Sequence, residues 1–250
     1  MQEHRVLIVA GENADERVKE FSANAQVEPY IKYYYADAAK LKEQKIEMFS
    51  ELLKNQEIKI PRAYVEDELK WLKETSDEDF YFDLTAEYEC DDDGNAITTE
   101  NPGGRYASIN HGGSFSQPFI LKDGRDVYAA TKGEIDWNAI HRNPEMTNLY
   151  ERTWEMCMEG LKPVSDIDKQ VYENMKNRQE YFSNFKDKEE YVASCTSFWA
   201  HAFLSPFDVW MDVDDYPGTQ FEWMSSFYDT FIKGLPDGTK ITIFEYLTKE

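Results

Sequence analysis

The sequence predicts an α+β protein built on an antiparallel or mixed sheet. Three observations lead there. The run Val6 to Ala10 is apolar throughout and reads as a buried strand. Residues 36 to 55 repeat their apolar positions with a helical period, and residues 80 to 88 repeat theirs with a period of two. Strands and helices come in blocks, not in strict alternation. With 250 residues and 41% hydrophobic composition, the chain can bury a sizeable core. It reads as a single compact unit over residues 1 to 250, with a helical subregion at 134 to 190; two subdomains are the alternative.

The elements follow in order. Asn13 can cap a helix from Ala14 to Ala23. In the 36 to 55 helix, Leu41, Ile46, Phe49, Leu52 and Leu53 share a face. A second helix starts after Pro61 and buries Val65, Leu69 and Leu72. Phe80 to Tyr88 reads as a half-buried strand. Strands are expected at Tyr106 to Ile109, Gln117 to Leu121 and Asp126 to Thr131, with a hairpin turn at residues 122 to 125. Asn143-Pro144 opens a helix that Gly160 can end. Ser165 to Asp168 resembles a capping box and opens a helix running to about Phe185. Tyr191 to Leu204 and Phe207 to Val213 read as strands. Residues 218 to 233 read as a helix, with Met224, Phe227 and Phe231 on one face. Pro236-Asp237-Gly238 turns the chain into a last strand, Lys240 to Leu247.

The net charge is −22. Direct binding to nucleic acid or to an anionic membrane calls for basic patches, so this balance argues against both. The three cysteines, Cys90, Cys157 and Cys195, form no CxxC, which fits a reducing compartment. No signal-peptide pattern and no long apolar span is present, so the expected location is the cytoplasm.

The acid is concentrated. Residues 74 to 100 hold eleven acids and no Lys or Arg, and residues 189 to 232 hold eight acids and no Lys or Arg. Such windows repel themselves unless the fold spreads the charge or a partner neutralises it. On an extended strand, Asp208, Trp210, Asp212 and Asp214 would share a face at about 6.6 Å intervals. Asp83, Glu87 and Glu89 would make a second ladder. Ladders of this kind can occupy a basic groove made for a phosphate backbone.

Other motifs carry less. Residues 89 to 100 approach a calcium loop, with Asp91, Asp93, Gly94 and Glu100 at the expected offsets. Glu89 stands at the first position instead of Asp, and the flanks do not read as helices, so an acidic hairpin is expected. His111 lies in a glycine-flanked loop with Ser114, without GxSxG. His201 lies among aromatics and reads as a core histidine. The pattern points to no cofactor, catalytic residue or metal ligand.

The stretches 191–194, 220–223, 227–232 and 235–240, with the opening VLIVAGENADE, resemble uncharacterised ferredoxin-like α+β proteins of phages and mobile elements of Gram-positive bacteria. The resemblance covers about a third of the chain. It implies ferredoxin-like elements with a helical insertion and a mobile-element context. No active-site residue carries over from it.

Together these readings predict a non-enzymatic acidic protein that inhibits a basic nucleic-acid-binding host protein by charge mimicry, such as a CRISPR effector or another defence nuclease. Asp83, Glu87, Glu89, Asp91, Asp92, Asp93, Asp208, Asp212 and Asp214 would make the contact, with Trp210 as an aromatic anchor. The alternative is a metal-binding protein or enzyme using a carboxylate cluster or the His111 loop.

Overall fold

The apolar run at the start forms β1, His4–Ala10, at the centre of a six-stranded mixed sheet. The computed structural model describes residues 2–54 and 61–249. The last residue of the expected 36 to 55 helix, Asn55, lies outside the described residues.

The chain falls into two compact units where one was expected, and the second is not the helical stretch 134 to 190. Unit 1 comprises residues 1–24 and 103–250, and unit 2 comprises residues 25–102. In unit 1, β1 is followed by α1, Ala14–Lys19. Unit 2 holds β2 (Gln26–Tyr33), α2 (Ala38–Lys54), α3 (Arg62–Glu74), α4 (Asp77–Leu84), β3 (Glu89–Cys90) and β4 (Ala96–Glu100). Unit 1 then resumes with β5 (Tyr106–His111), β6 (Phe119–Ile120), β7 (Asp126–Val127) and β8 (Ala129–Thr131). Its helices are α5 (Trp137–Ile140), α6 (Pro144–Met158), α7 (Asp166–Met175), α8 (Gln179–Phe182) and α9 (Lys188–Thr196). The chain closes with β9 (Ala202–Leu204), β10 (Trp210–Asp212), α10 (Gln220–Phe227) and β11 (Lys240–Thr248).

The sheet runs β10-β9-β1-β11-β5, with β8 also on β11. β1 is parallel to β9 and antiparallel to β11, so the sheet is mixed. Alternation along β1 explains its unbroken apolarity. Ile8 and Ala10 join a cluster with Ile241, Ile243, Phe203 and Phe227, whereas Leu7 and Val9 join Phe244, Tyr246 and Trp210 on the other face. α10 runs on as a π-helical turn over Tyr228–Ile232, so the expected single helix is two pieces. A separate aromatic cluster around Phe182, Phe185 and Tyr191 holds the helices of the 144–196 region together.

The caps read from sequence are present at α6 and α7. The Asn143 side chain accepts from the Glu145 and Met146 amides, and Ser165 and Asp168 bond each other's backbone reciprocally. The Arg152 guanidinium holds the buried Asp168 carboxyl well below the usual carboxylate range. The expected helix to Phe185 breaks after Met175 and resumes as the short α8. α1 ends at Lys19, short of Ala23, and Asn13 sits there in the left-handed region without capping through its side chain.

Three expected strands are corrected. Phe80 to Tyr88 is mainly helix α4. Ser76 caps it by accepting from the Asp79 amide, and Asp77, Glu78 and Asp79 fill its first turn, where carboxylates favour the helix dipole. Phe80 and Leu84, four residues apart, join the α2–α3 core. Tyr191 to Thr196 belongs to α9, which Asp187 caps through the Glu190 amide; only Ala202–Leu204 of that stretch is strand. Phe207 to Val213 contains the tip of a hairpin and a strand of three residues. The Ser205 hydroxyl accepts from the Phe207 and Val209 amides, and Asp208 takes a left-handed φ of 60°. Residues 213–215 then coil into a 3₁₀ turn.

One histidine gives this fold a sensitivity to acid. His141 stacks on Tyr228 with ring centroids 4.0 Å apart, and its Nδ1 accepts from the Phe198 amide at 3.2 Å. Burial, aided by the neighbouring Arg142, pushes it down to about 4. Lys233 acts in the same direction and Asp229 against it. An unfolded histidine titrates near 6.5, so the unfolded state binds more protons between the two values. The contribution of neutral His141 is complete above about pH 6.5 and is lost as the pH falls towards 4. Allowing for its partial exposure, wild type loses about 2 kcal/mol through this residue between pH 7 and pH 4. Urea titrations across that range check it: His141→Gln should give a flatter curve, and an identical curve would remove His141 from the account.

Candidate acidic interface

The aspartates of the second acidic window are matched inside unit 1. Arg17 meets Asp208 at 2.6 Å, and Arg105 meets Asp215 at 3.1 Å. Arg5 meets Asp212 at 3.2 Å and Asp214 at 2.5 Å. Burial works against the Arg5 charge, but its hydrogen bonds to Asp214 and Glu3 outweigh that, so Arg5 holds its proton more firmly than usual. The Asp212 carboxylate also accepts from the Trp210 indole and the Tyr246 hydroxyl. Gly11 permits part of this arrangement. Its φ is 112°, and a Cβ there would stand 2.8 Å from Arg17 Nη1.

The expected ladder of Asp208, Trp210, Asp212 and Asp214 is therefore corrected. These residues lie in a turn, a short strand and a 3₁₀ turn, and each acid has an arginine partner. Trp210 is only 8% exposed and packs against Phe21, Tyr106 and Tyr246, so it is a core residue and not an anchor.

The first window behaves differently. The ladder of Asp83, Glu87 and Glu89 does not form either, because Asp83 lies in the last turn of α4, Glu87 lies in a turn and Glu89 starts β3. Yet these three carboxylates, with Asp92 and Asp93, are exposed, and among the described residues no base pairs with any of them. Elsewhere in the window Lys42 meets Asp77 and Lys32 meets Glu100, at 2.9 and 2.5 Å. From residue 25 to 73 nine bases offset nine acids, so unit 2 keeps the −11 of its acidic window.

The near-calcium loop is a β3–β4 hairpin. Asp91 turns its carboxylate inward and accepts from the Asn95 side chain at 3.0 Å, the Asn95 amide at 2.8 Å and the Asp93 amide at 3.0 Å. These bonds, the Asn95 side chain first, hold its carboxyl below the usual range. Asp91 thus shapes the loop, and Asp92 and Asp93 project from its tip. Glu100, twelfth in the calcium pattern, is taken by Lys32. Among the described residues no group of three or more His, Cys, Asp or Glu side chains is arranged to hold a metal ion.

Sequence reasoning missed the aromatics beside this acid. Phe82 is 58% exposed next to Asp83, and Tyr34 and Tyr35 are also exposed. The Tyr35 amide donates to the Asn95 side chain at 3.0 Å, and its ring stands edge-on to Tyr81, whose hydroxyl accepts from the Ala96 amide. The YYY run at 33–35 and the FYF run at 80–82 were the signals available.

The His111 loop makes a different contact. His111 Nε2 lies 2.5 Å from Asp15, and its ring packs on Phe244. Ser114 is exposed, and no hydroxyl or thiol among the described residues bonds His111. No helix among the described residues is long and apolar enough to cross a membrane. No protein-family model, curated protein or solved structure matches the chain.

Proposed function

We propose that the chain is a non-enzymatic interaction protein whose second unit docks on a basic, nucleic-acid-binding protein and occupies its phosphate-binding surface. One observation carries this reading. Asp83, Glu87, Glu89, Asp92 and Asp93 are exposed and have no base partner among the described residues, while Asp208, Asp212, Asp214 and Asp215 of unit 1 are matched by Arg5, Arg17 and Arg105. Unpaired carboxylates supply long-range attraction and fast association, and exposed Phe82, Tyr34 and Tyr35 supply apolar anchors that acid alone lacks. A mobile-element inhibitor of a host nuclease would have this surface chemistry.

The test keeps Asp91, because its loss would unfold the loop. Immobilised wild type and the variant Asp83→Asn, Glu87→Gln, Glu89→Gln, Asp92→Asn, Asp93→Asn are challenged with a Gram-positive bacterial lysate at about 50 mM salt. Wild type should retain a nucleic-acid-binding protein that added duplex DNA displaces and that elutes by about 0.5 M salt. The variant should lose it. Retention of the same proteins by both forms, or elution indifferent to salt and DNA, would refute charge mimicry.

A further inference from the structure

Unit 1 contains a cavity of about 700 Å³, a size suited to a small-molecule ligand. It is walled by β1, the loop after β5, the α5–α6 region and the segment that links α9 to β9. Three features of its wall bear on what it holds.

The first is an orphan hydroxyl. Ser116 lines the cavity, is 9% exposed, and its Oγ has no hydrogen-bond partner among the described residues. A buried polar atom without a partner costs stability, and a ligand atom can remove that cost. The loop carrying Ser116 is held in place. The Phe115 amide donates to the Glu245 carboxylate at 2.5 Å, and the Ser116 amide donates to the same oxygen. Gly113 leaves room for that carboxylate, which a Cβ at this position would strike.

The second is a donor of fixed identity. His201 Nδ1 accepts from the Val6 amide at 3.1 Å, so the neutral ring carries its proton on Nε2. Burial, and then Arg5, lower its proton affinity and keep it neutral at physiological pH. No partner occupies Nε2 among the described residues.

The third is the absence of charge. Among the described lining residues there is no Lys or Arg, and the single acid, Asp126, is exposed. Cys195 is a thiol and not a thiolate, since burial pushes it up to about 11. Phe198, Trp199 and Tyr150 add aromatic surface.

We propose that this cavity binds an uncharged heteroaromatic small molecule, whose ring packs on Phe198 and Trp199 and whose polar edge meets Ser116 Oγ and His201 Nε2. A phosphorylated ligand is excluded, because nothing in the wall neutralises it and the chain carries −22.

Adenosine, adenosine monophosphate and indole serve as probes, read by ligand-observed saturation-transfer NMR and by quenching of tryptophan fluorescence. Adenosine and indole should bind, and the monophosphate should not. Ser116→Ala should weaken adenosine about fivefold and leave indole nearly unchanged. Its melting temperature without ligand should equal or exceed that of wild type, whereas a purely structural serine would lower it. Ala139→Trp, which fills the cavity, should abolish binding of both neutral probes. Failure of both neutral probes, monophosphate binding as tight as adenosine, or full adenosine affinity in Ser116→Ala would each overturn the proposal.

Discussion

Phe227→Ala should destabilise the protein by about 4 kcal/mol. Phe227 is fully buried and sits among Phe198, Phe203, Trp223 and Phe231, with ring centroids 5.2 to 6.2 Å away. Four rigid rings cannot close over the space that a lost phenyl leaves, so the cavity term adds to the lost transfer energy. The same substitution at Phe207, 86% exposed at a hairpin tip, should change stability by no more than about 0.5 kcal/mol. Equilibrium urea unfolding of both variants decides the matter. Equal effects would mean that the aromatic core between α10 and the sheet is not packed as described.

Arg5→Ala should cost about 3 kcal/mol. The side chain is largely buried and meets Glu3, Asp212 and Asp214 together. Removing it leaves three carboxylates crowded near the end of β1, with Asp212 itself mostly buried. Simple charge counting would treat one residue in a chain of −22 as incidental; the local cluster makes its effect large. Arg5→Lys should recover only part of the loss, because a single ammonium cannot reproduce the planar, spread set of donors with which Nη1 and Nη2 reach three carboxylates. Arg5→Met, which keeps an apolar stem and removes the charge, should cost nearly as much as Arg5→Ala in the same urea titrations. Near wild-type stability in Arg5→Met would show that packing of the arginine stem, not its charge, matters there.

The parts legible from sequence are those governed by neighbours in the chain. Asn143 and Ser165 announce their helices because capping is a bond across two or three residues. VLIVA announces a strand covered on both faces. The errors at 80–88 and 191–196 share a cause. In both, aromatic and β-branched residues fall at spacings that a strand also allows, and the capping residue upstream, Ser76 or Asp187, was the stronger signal. The two acidic windows look alike in sequence, since neither contains a base. They differ only in the fold, because Arg5 and Arg17 reach Asp212, Asp214 and Asp208 from about 190 to 210 positions away. No local window can contain such partners. Ser116 was hidden for the same reason, since an unbonded hydroxyl is a property of what surrounds it.

The route of the chain between the units has its own consequence. It departs beside the place where it returns: the Ala23 amide donates to the Tyr106 carbonyl at 2.8 Å, and the Arg105 amide donates to the Phe21 carbonyl at 2.7 Å. Just beyond, Gln26 faces Glu100 across β2 and β4. Residues 25–102 are thus a graft on a two-stranded stem, and both cut ends already lie together. Extending such a loop adds little closure entropy, about 0.6 kcal/mol per doubling, so the host sheet scarcely registers its cargo. The acid-bearing module can be lost, exchanged or diversified while every strand of the sheet keeps its partner. The exposed acid of residues 83–93 thus lies in a part of the chain that can vary apart from the strands that build the six-stranded sheet.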